Sequence, residues 1–375
     1  MSSVDSTPPS VDFDRAFQSA STTDGRQVSF FEFWPTWVMY APVAVQWILL
    51  TVWYRSFTLP FLANPNVPVA GMVGMPKSTL LGQATGKAAE VILPWIIYAV
   101  GNRPLSQQLD TCLKSAEAIG ITLPFVCKPD IGCRGVGVKL IKSRDQLAEV
   151  ISLYPKGAQL VCQQLASWEP EVGIFYVKNP ETGEVSIPSM TFKYTPHVVG
   201  DGQRTLSELV EADPRAGQLQ HLYHARFRER WSEVPESGEV VKLVFSASHS
   251  KGAIFKNASE FITEALRLRV AEIMADIPEF FYGRLDVKFR DVASLKLGET
   301  LEVVEINGAS SESIHIWDKD TSLLTAFKEL TWQYRTLFKI GAHHRRNGLR
   351  PPRLGYFLER LREERRLTRN YPLTD

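Results

Sequence analysis

The segment GRLDVKF, followed after a short interval by LEVVEIN, constrains this chain more than any other stretch, because it sets Asp286, Glu305 and Asn307 on two neighbouring strands. Leu285, Val287 and Phe289 alternate with Arg284, Asp286 and Lys288, the period-two pattern of a strand with one apolar and one polar face. Glu305 and Asn307 are two apart and therefore share a face. The interval, which contains Gly298, is long enough for the strands to pair antiparallel, so three oxygen-bearing side chains can converge beside two cationic ones. Carboxylates with an amide oxygen suit Mg2+ that also holds phosphate oxygens. A hairpin with a charged solvent face accounts for the same pattern, and the rest of the chain has to decide between them.

With 375 residues, 44% of them hydrophobic, the chain can bury a full core and form more than one lobe. Lys plus Arg (42) nearly balances Asp plus Glu (41), and a net charge of +1 provides no global field to recruit nucleic acid. Cys112, Cys127, Cys133 and Cys162 show no CxxC spacing and no paired histidines, which argues against zinc and for reduced thiols in a cytosol-like compartment.

Local patterns divide the chain. Residues 1–34 are expected to form a mobile polar tail, with no basic start or early apolar stretch of the kind a signal peptide needs. Residues 35–58 contain WVMYAPVAVQWILLTVWY (37–54), which is uncharged and aromatic at both ends, and which reads as a helix spanning a membrane, lying in its interface, or docked on the body or a partner. If it spans, the following Arg55, Lys77 and Lys87 put the body on the cytoplasmic side. Residues 59–124 read as an N-terminal lobe, in which AEVILPWIIYAV is a buried strand. Residues 125–345 form the main domain, and 346–375 a basic amphipathic helix suited either to its own domain or to anionic lipid. Capping boxes are expected at Ser143/Gln146, Thr205/Glu208 and Asn257/Glu260.

In PFVCKPDIGCRGVGV a strand delivers Lys128 to a turn containing Gly132, Arg134, Gly135 and Gly137. Glycine amides can approach phosphate oxygens closely, and the lysine adds a point charge to the same phosphates. Ordinary hairpins also contain glycine, so the turn alone is not specific.

The order of lysine, glycine turn and D…E-x-N carboxylates resembles the ATP-grasp superfamily of carboxylate–amine ligases, such as D-alanine:D-alanine ligase, over roughly residues 77–345. The resemblance implies an α+β fold of two lobes whose antiparallel sheets enclose ATP. It implies ATP phosphate contacts from Lys77 and Lys128, with Lys87 and Lys114 competing for the role of Lys77, and a flap at 132–137. By the same resemblance Gln164 and Leu165 form an adenine-binding hinge, although most members carry an acidic residue at the position of Gln164. Glu171 matches the ribose-binding carboxylate, Lys193 a γ-phosphate contact and Arg284 the arginine that stabilises developing negative charge. Asp286, Glu305 and Asn307 match the ligands of one or two Mg2+ ions, for which Mn2+ can substitute. VVGDGQRTLSELVEADPRA is similar to a stretch of cyanophycin synthetase.

These matches imply ligation of a small-molecule carboxylate to an amine through an acylphosphate. A kinase that stops at phosphoryl transfer and a non-catalytic nucleotide sensor remain as alternatives. Family members begin with a compact substrate-binding domain, whereas this chain has a tail and an apolar segment before Lys77. That difference suggests an amphiphilic substrate and a catalytic body at the cytoplasmic face of a membrane. Ser311, Glu312 and His315, just past the second strand, can face an acceptor, although a core role for His315 fits equally.

Overall fold

A computed structural model of the chain describes residues 28, 29, 31–132, 135–372 and 374. Most of the expected tail, together with Cys133 and Arg134, lies outside these residues. The end of that tail is packed, not mobile: Phe31 and Glu32 are buried, and Glu32 forms an ion pair with Arg215.

The chain folds as α+β around two antiparallel sheets. The smaller sheet comprises β1 (Trp95–Ala99), β2 (Phe125–Pro129), β3 (Lys139–Ile141) and β4 (Gln159–Gln164), in the order β1-β4-β2-β3. Helices Leu105–Glu117 and Arg144–Leu153 cover it, enclosing a core that includes Phe125, Cys127, Leu147 and Leu160. The larger sheet comprises β5 (Glu171–Lys178), β6 (Val185–Tyr194), β9 (Ile254–Asn257), β10 (Tyr282–Phe289) and β11 (Leu301–Asn307), in the order β11-β10-β5-β6-β9. Between them in sequence, β7 (His197–Val199) and β8 (Val240–Lys242) form a separate two-stranded ribbon. Strand β1 precedes residue 124 and pairs with β4, so the smaller sheet draws on sequence from both sides of that position.

The alternation in GRLDVKF works as its period requires. Leu285, Val287 and Phe289 enter the main core, and Arg284, Asp286 and Lys288 take the other face. Helix Val292–Leu297 fills the interval before β11, and Gly298 ends it in a left-handed conformation (φ 73°).

The second apolar run divides differently from expectation: its first part is helix Gly86–Val91, and only Trp95–Ala99 is strand. Thr205 and Glu208 form a full capping box. Ser143 caps through its hydroxyl, while the Gln146 side chain accepts from Lys142 and not from Ser143. Asn257 caps no helix: its Oδ1 accepts from Ser259 N at 3.0 Å just before a short 3-10 turn whose N-cap is Ala258, and helix Glu264–Ala275 begins at Thr263, whose hydroxyl accepts from Leu266 N.

We label helix Thr36–Tyr54 α1. It lies along the body, with Met39 and Val43 buried and Trp47 packed among Phe57, Phe61, Tyr334 and Phe338. The Gln46 amide donates to the Thr331 carbonyl at 2.9 Å. The helix is long and apolar enough to cross a membrane, and one side of it is docked on the body. The opposite stripe, Val45, Ile48, Leu49, Val52 and Trp53, is exposed. The C-terminal helix Leu354–Thr368 also packs on the body, stacking Phe357 on Phe61 with ring centroids 4.8 Å apart.

Candidate active site

A cleft of about 1520 Å³ opens between the two sheets. Its floor follows β10, where Lys288, Asp286 and Arg284 occupy alternate positions of one face and extend over about 13 Å. At one end Lys288 donates to the Glu169 carbonyl (2.8 Å) and pairs with Glu171 (3.2 Å). In the middle Asp286 pairs with Lys193 (3.0 Å) and Arg284 (2.9 Å). At the other end Arg284 reaches the Glu312 carbonyl at 3.4 Å.

Each lobe brings cations to this floor. Lys128, at the end of β2, crosses from the smaller sheet and donates to the Val304 carbonyl of β11 and to Gln163 Oε1, both at 2.8 Å. Lys77 opens helix Lys77–Gln83, which the Asp130 carboxylate fastens to the end of β2 by accepting from Ser78 N and Oγ at 2.8 and 2.9 Å. Its ammonium donates to the Gly132 carbonyl (2.8 Å) and lies 3.6 Å from Glu305. Lys87 instead pairs with Glu90 on an exposed helix, and Lys114 does not line the cleft, so of the three competing lysines Lys77 is the one in the cleft.

The glycine turn folds over the same region. Gly135 (φ 66°) and Gly137 (φ 73°) adopt conformations that side chains disfavour. A Cβ at Gly137 would lie 2.6 Å from the Tyr154 hydroxyl. Lys251 donates to the Gly135 carbonyl at 2.5 Å and ties the turn to the larger lobe. The sequence patterns assign no role to Lys251, Gln163 or Lys288. Their signal lay only in contacts across the cleft.

Electrostatics follow from burial against pairing. Burial pushes the Lys128 ammonium down from 10.5 to about 8, with Glu305 opposing the shift only in part. Burial alone would raise the Asp286 carboxyl, but Arg284 and Lys193 outweigh it and hold the group well below its usual range. Glu171 is likewise lowered, burial being overcome by Lys193 and Lys288. Burial would lower Lys193, yet Asp286 and Glu171 raise it, and Asp286 does the same for Arg284.

Among the described residues, nine Lys or Arg and seven Asp or Glu side chains line the cleft, leaving a net of two positive charges. That balance suits a polyanion. It bears equally on the metal question. Asp286 stands opposite Glu305 in the ladder, and the Asn307 amide donates to Asp286 at 3.1 Å, so three hard oxygen donors do meet. No group of three His, Cys, Asp or Glu arranged to hold a metal occurs among the described residues. Mg2+ therefore fits this donor set as an ion that Asn307 and phosphate oxygens help to hold, not as a bare cation in an anionic cage.

Other expected residues fall in different settings. Leu165 and Gln164 line the cleft, but Gln164 N already donates to the Pro94 carbonyl (2.9 Å), and its side-chain oxygen accepts from Thr122 N (2.8 Å). Glu171 is committed to two lysines and is not an open carboxylate. His315 is buried away from the cleft lining, its pKa lowered by burial, whereas Ser311 and Glu312 do face the cleft. Arg134 lies outside the described residues.

No protein-family model and no curated protein matches the chain. Solved structures give partial likenesses. A bifunctional glutathione synthetase from Pasteurella multocida is 15% identical with a TM-score of 0.35, covering 68% of this chain and 35% of its own. The D-Ala:D-Ser ligase VanG from Enterococcus faecalis is 9% identical with a TM-score of 0.41, covering 73% and 64%. D-alanine–D-alanine ligase from Bacillus anthracis is 12% identical with a TM-score of 0.37, covering 73% of each chain. The chain thus spans about a third of the first of these proteins and under two thirds of the second.

Proposed function

We propose that this chain is an ATP- and Mg2+-dependent ligase of the ATP-grasp kind, joining a carboxylate to an amine. The observation that carries the reading is the convergence of Lys77, Lys128, Lys193 and Arg284 on Asp286, Glu305 and Asn307 between two antiparallel sheets. Phosphoryl transfer needs charge neutralisation and positioning more than covalent help, and a cleft built from fixed ammonium groups supplies both.

In this reading the adenine lies near Leu165 and the phosphates against Lys77, Lys128 and the glycine turn. Glu305, Asn307 and Asp286 would hold Mg2+, which when bound neutralises phosphate charge. Lys193 orients the terminal phosphoryl group. An oxygen of the substrate carboxylate attacks the γ-phosphorus, the bond to the β-phosphate oxygen breaks, and ADP leaves. The amine nitrogen then adds to the acyl carbon, loses a proton, and phosphate departs with the electron pair of the broken C–O bond. Arg284 stabilises the oxyanion of that second step. The test is release of ADP and phosphate with an amide product identified by mass spectrometry from pooled carboxylates and amines. A stable phosphorylated product, or ATP binding without turnover on any pool, would overturn it.

We also propose that α1 seats this body on anionic lipid. Its outer stripe leaves Trp37 75% and Trp53 81% exposed, and no charged side chain interrupts residues 36–54. Burying each such aliphatic or aromatic side chain contributes roughly 1.5–3 kcal/mol. Arg55 ends the helix, and Arg345, whose guanidinium donates to the Tyr54 carbonyl at 2.8 Å, stands at the same end. An apolar face with basic residues at its edge suits the interface of an anionic bilayer better than a neutral one.

A further inference from the structure

The cleft is larger than one small ligand requires, since such pockets run to roughly 300–1,000 Å³. Beyond Arg284 its character changes. The cationic floor stops, and Trp34, Tyr40, His249, Phe255 and Trp317 form the walls. His249 stacks on Trp317 with ring centroids 4.3 Å apart. Glu312 stands among these rings. One carboxylate oxygen accepts from the Tyr40 hydroxyl and the other from Trp317 Nε1 at 3.1 Å.

Charge accounting sets Glu312 apart from most carboxylates of the cleft. Glu171, Asp286, Glu305, Glu169 and Glu32 each have a lysine or arginine within ion-pair distance. The Glu312 carboxylate has only the two neutral donors, and among the described residues no cation lies within 4.0 Å of it; Arg284, the cation that feels its charge, meets the residue at its backbone carbonyl. Glu312 is partly exposed to the cleft, and a carboxylate that accepts two hydrogen bonds retains lone pairs for more. A carboxylate held at the polar edges of two aromatic residues, with lone pairs still open to the cleft and apolar ring surface around it, is complementary to an ammonium group on an apolar body.

Resting on the ligase reading, we infer that this end of the cleft is the amine subsite, and that it takes a primary ammonium group carried on an apolar or aromatic body, with Glu312 as the recognition carboxylate. The N-terminal part of α1, through Tyr40, then walls the acceptor site. This gives the apolar segment ahead of Lys77 a role in binding substrate.

The test needs no turnover. Binding of 2-phenylethylamine, its neutral counterpart 2-phenylethanol and ethylamine is measured by titration calorimetry on the full chain and on Glu312→Gln, whose amide oxygen can accept from Trp317 Nε1 and whose amide NH2 can donate to the Tyr40 hydroxyl, so that the charge is removed while both neighbours keep a partner. In the wild-type chain 2-phenylethylamine is expected to bind at least about tenfold more tightly than either of the others, and Glu312→Gln to abolish its advantage over the alcohol. A merely structural Glu312 would weaken all three probes alike, and that outcome overturns the assignment. So does absence of 2-phenylethylamine binding to the wild-type chain. ATP titrated in parallel separates the two ideas: amine binding without ATP binding removes the ligase reading and keeps the subsite, whereas ATP binding without amine preference removes the subsite alone.

Discussion

Asp286 stands directly opposite Glu305 across the β10/β11 ladder, yet the two carboxylates live in different worlds. The Asp286 side chain is 6% exposed and carries Arg284 and Lys193, while that of Glu305 is 31% exposed and among the described residues has one ion pair, with Lys77 at 3.6 Å. Substitution therefore separates them. Asp286→Asn leaves the buried Arg284 without its carboxylate partner and Lys193 with Glu171 alone, and is expected to cost roughly 3–5 kcal/mol of stability. Glu305→Gln should leave the melting temperature within a degree or two and lower ATP-dependent activity at least about 100-fold. Thermal melts beside an ADP-release assay decide the matter, and full activity in Glu305→Gln would remove Glu305 from the proposed metal set.

Lys128 predicts opposite pH trends for binding and stability. Its folded pKa, about 8, lies below the ordinary 10.5. Below pH 8 both folded and unfolded chains carry its proton, and between about 8 and 10.5 only the unfolded chain does, so the contribution of this group to stability rises with pH in that window. Phosphate affinity should instead fall as the ammonium neutralises above pH 8. Calorimetry at pH 7–9 in buffers of different ionisation enthalpy is expected to show proton uptake on ATP binding, and Lys128→Met to remove it. Equal uptake in the variant would assign the proton to another group.

Gly137→Ala is expected to disrupt the turn. It combines a positive φ with a Cβ placed 2.6 Å from the Tyr154 hydroxyl, and the left-handed conformation alone costs about 1–2 kcal/mol. Gly157 also has a positive φ but nothing within 4 Å, so Gly157→Ala serves as the control. The measured quantity is ATP affinity, which should fall for Gly137→Ala and hold for Gly157→Ala.

The outer stripe of α1 gives a fourth expectation. Vesicles of phosphatidylcholine with phosphatidylserine should sediment the chain and shift Trp emission to the blue, with weaker effects for phosphatidylcholine alone. Ile48→Glu with Val52→Glu should abolish both, since Ile48 and Val52 are exposed and their replacement leaves the docked face intact. A dimer in solution that ignores vesicles would show that a second copy covers this stripe.

Much of the fold was legible locally. Leu285, Val287 and Phe289 declared their buried face by alternation, and Thr205 with Glu208 declared a helix start by spacing. The spacing of Asn257 and Glu260 matches a helix start, yet Asn257 only accepts from Ser259 N ahead of a 3-10 turn, and nothing local distinguishes that from the start of a full helix. The proline in AEVILPWIIYAV marked a true break between helix and strand, which apolar content alone concealed.

What the sequence determined by itself was the inventory and its order: a lysine at a strand end, glycines in a turn, and oxygen donors alternating on paired strands. These depend on spacings of two to seven residues, and the backbone geometry of a strand or turn fixes them. Tertiary structure alone decided that Lys77 and not Lys87 or Lys114 enters the cleft, and that α1 turns one stripe to the body and the other outward. It also brought Tyr40 to Glu312, 272 positions away. Such contacts arise from the packing of elements far apart in sequence, lobe on lobe for Lys77 and α1 on the body for Tyr40, and no local period in the chain encodes them.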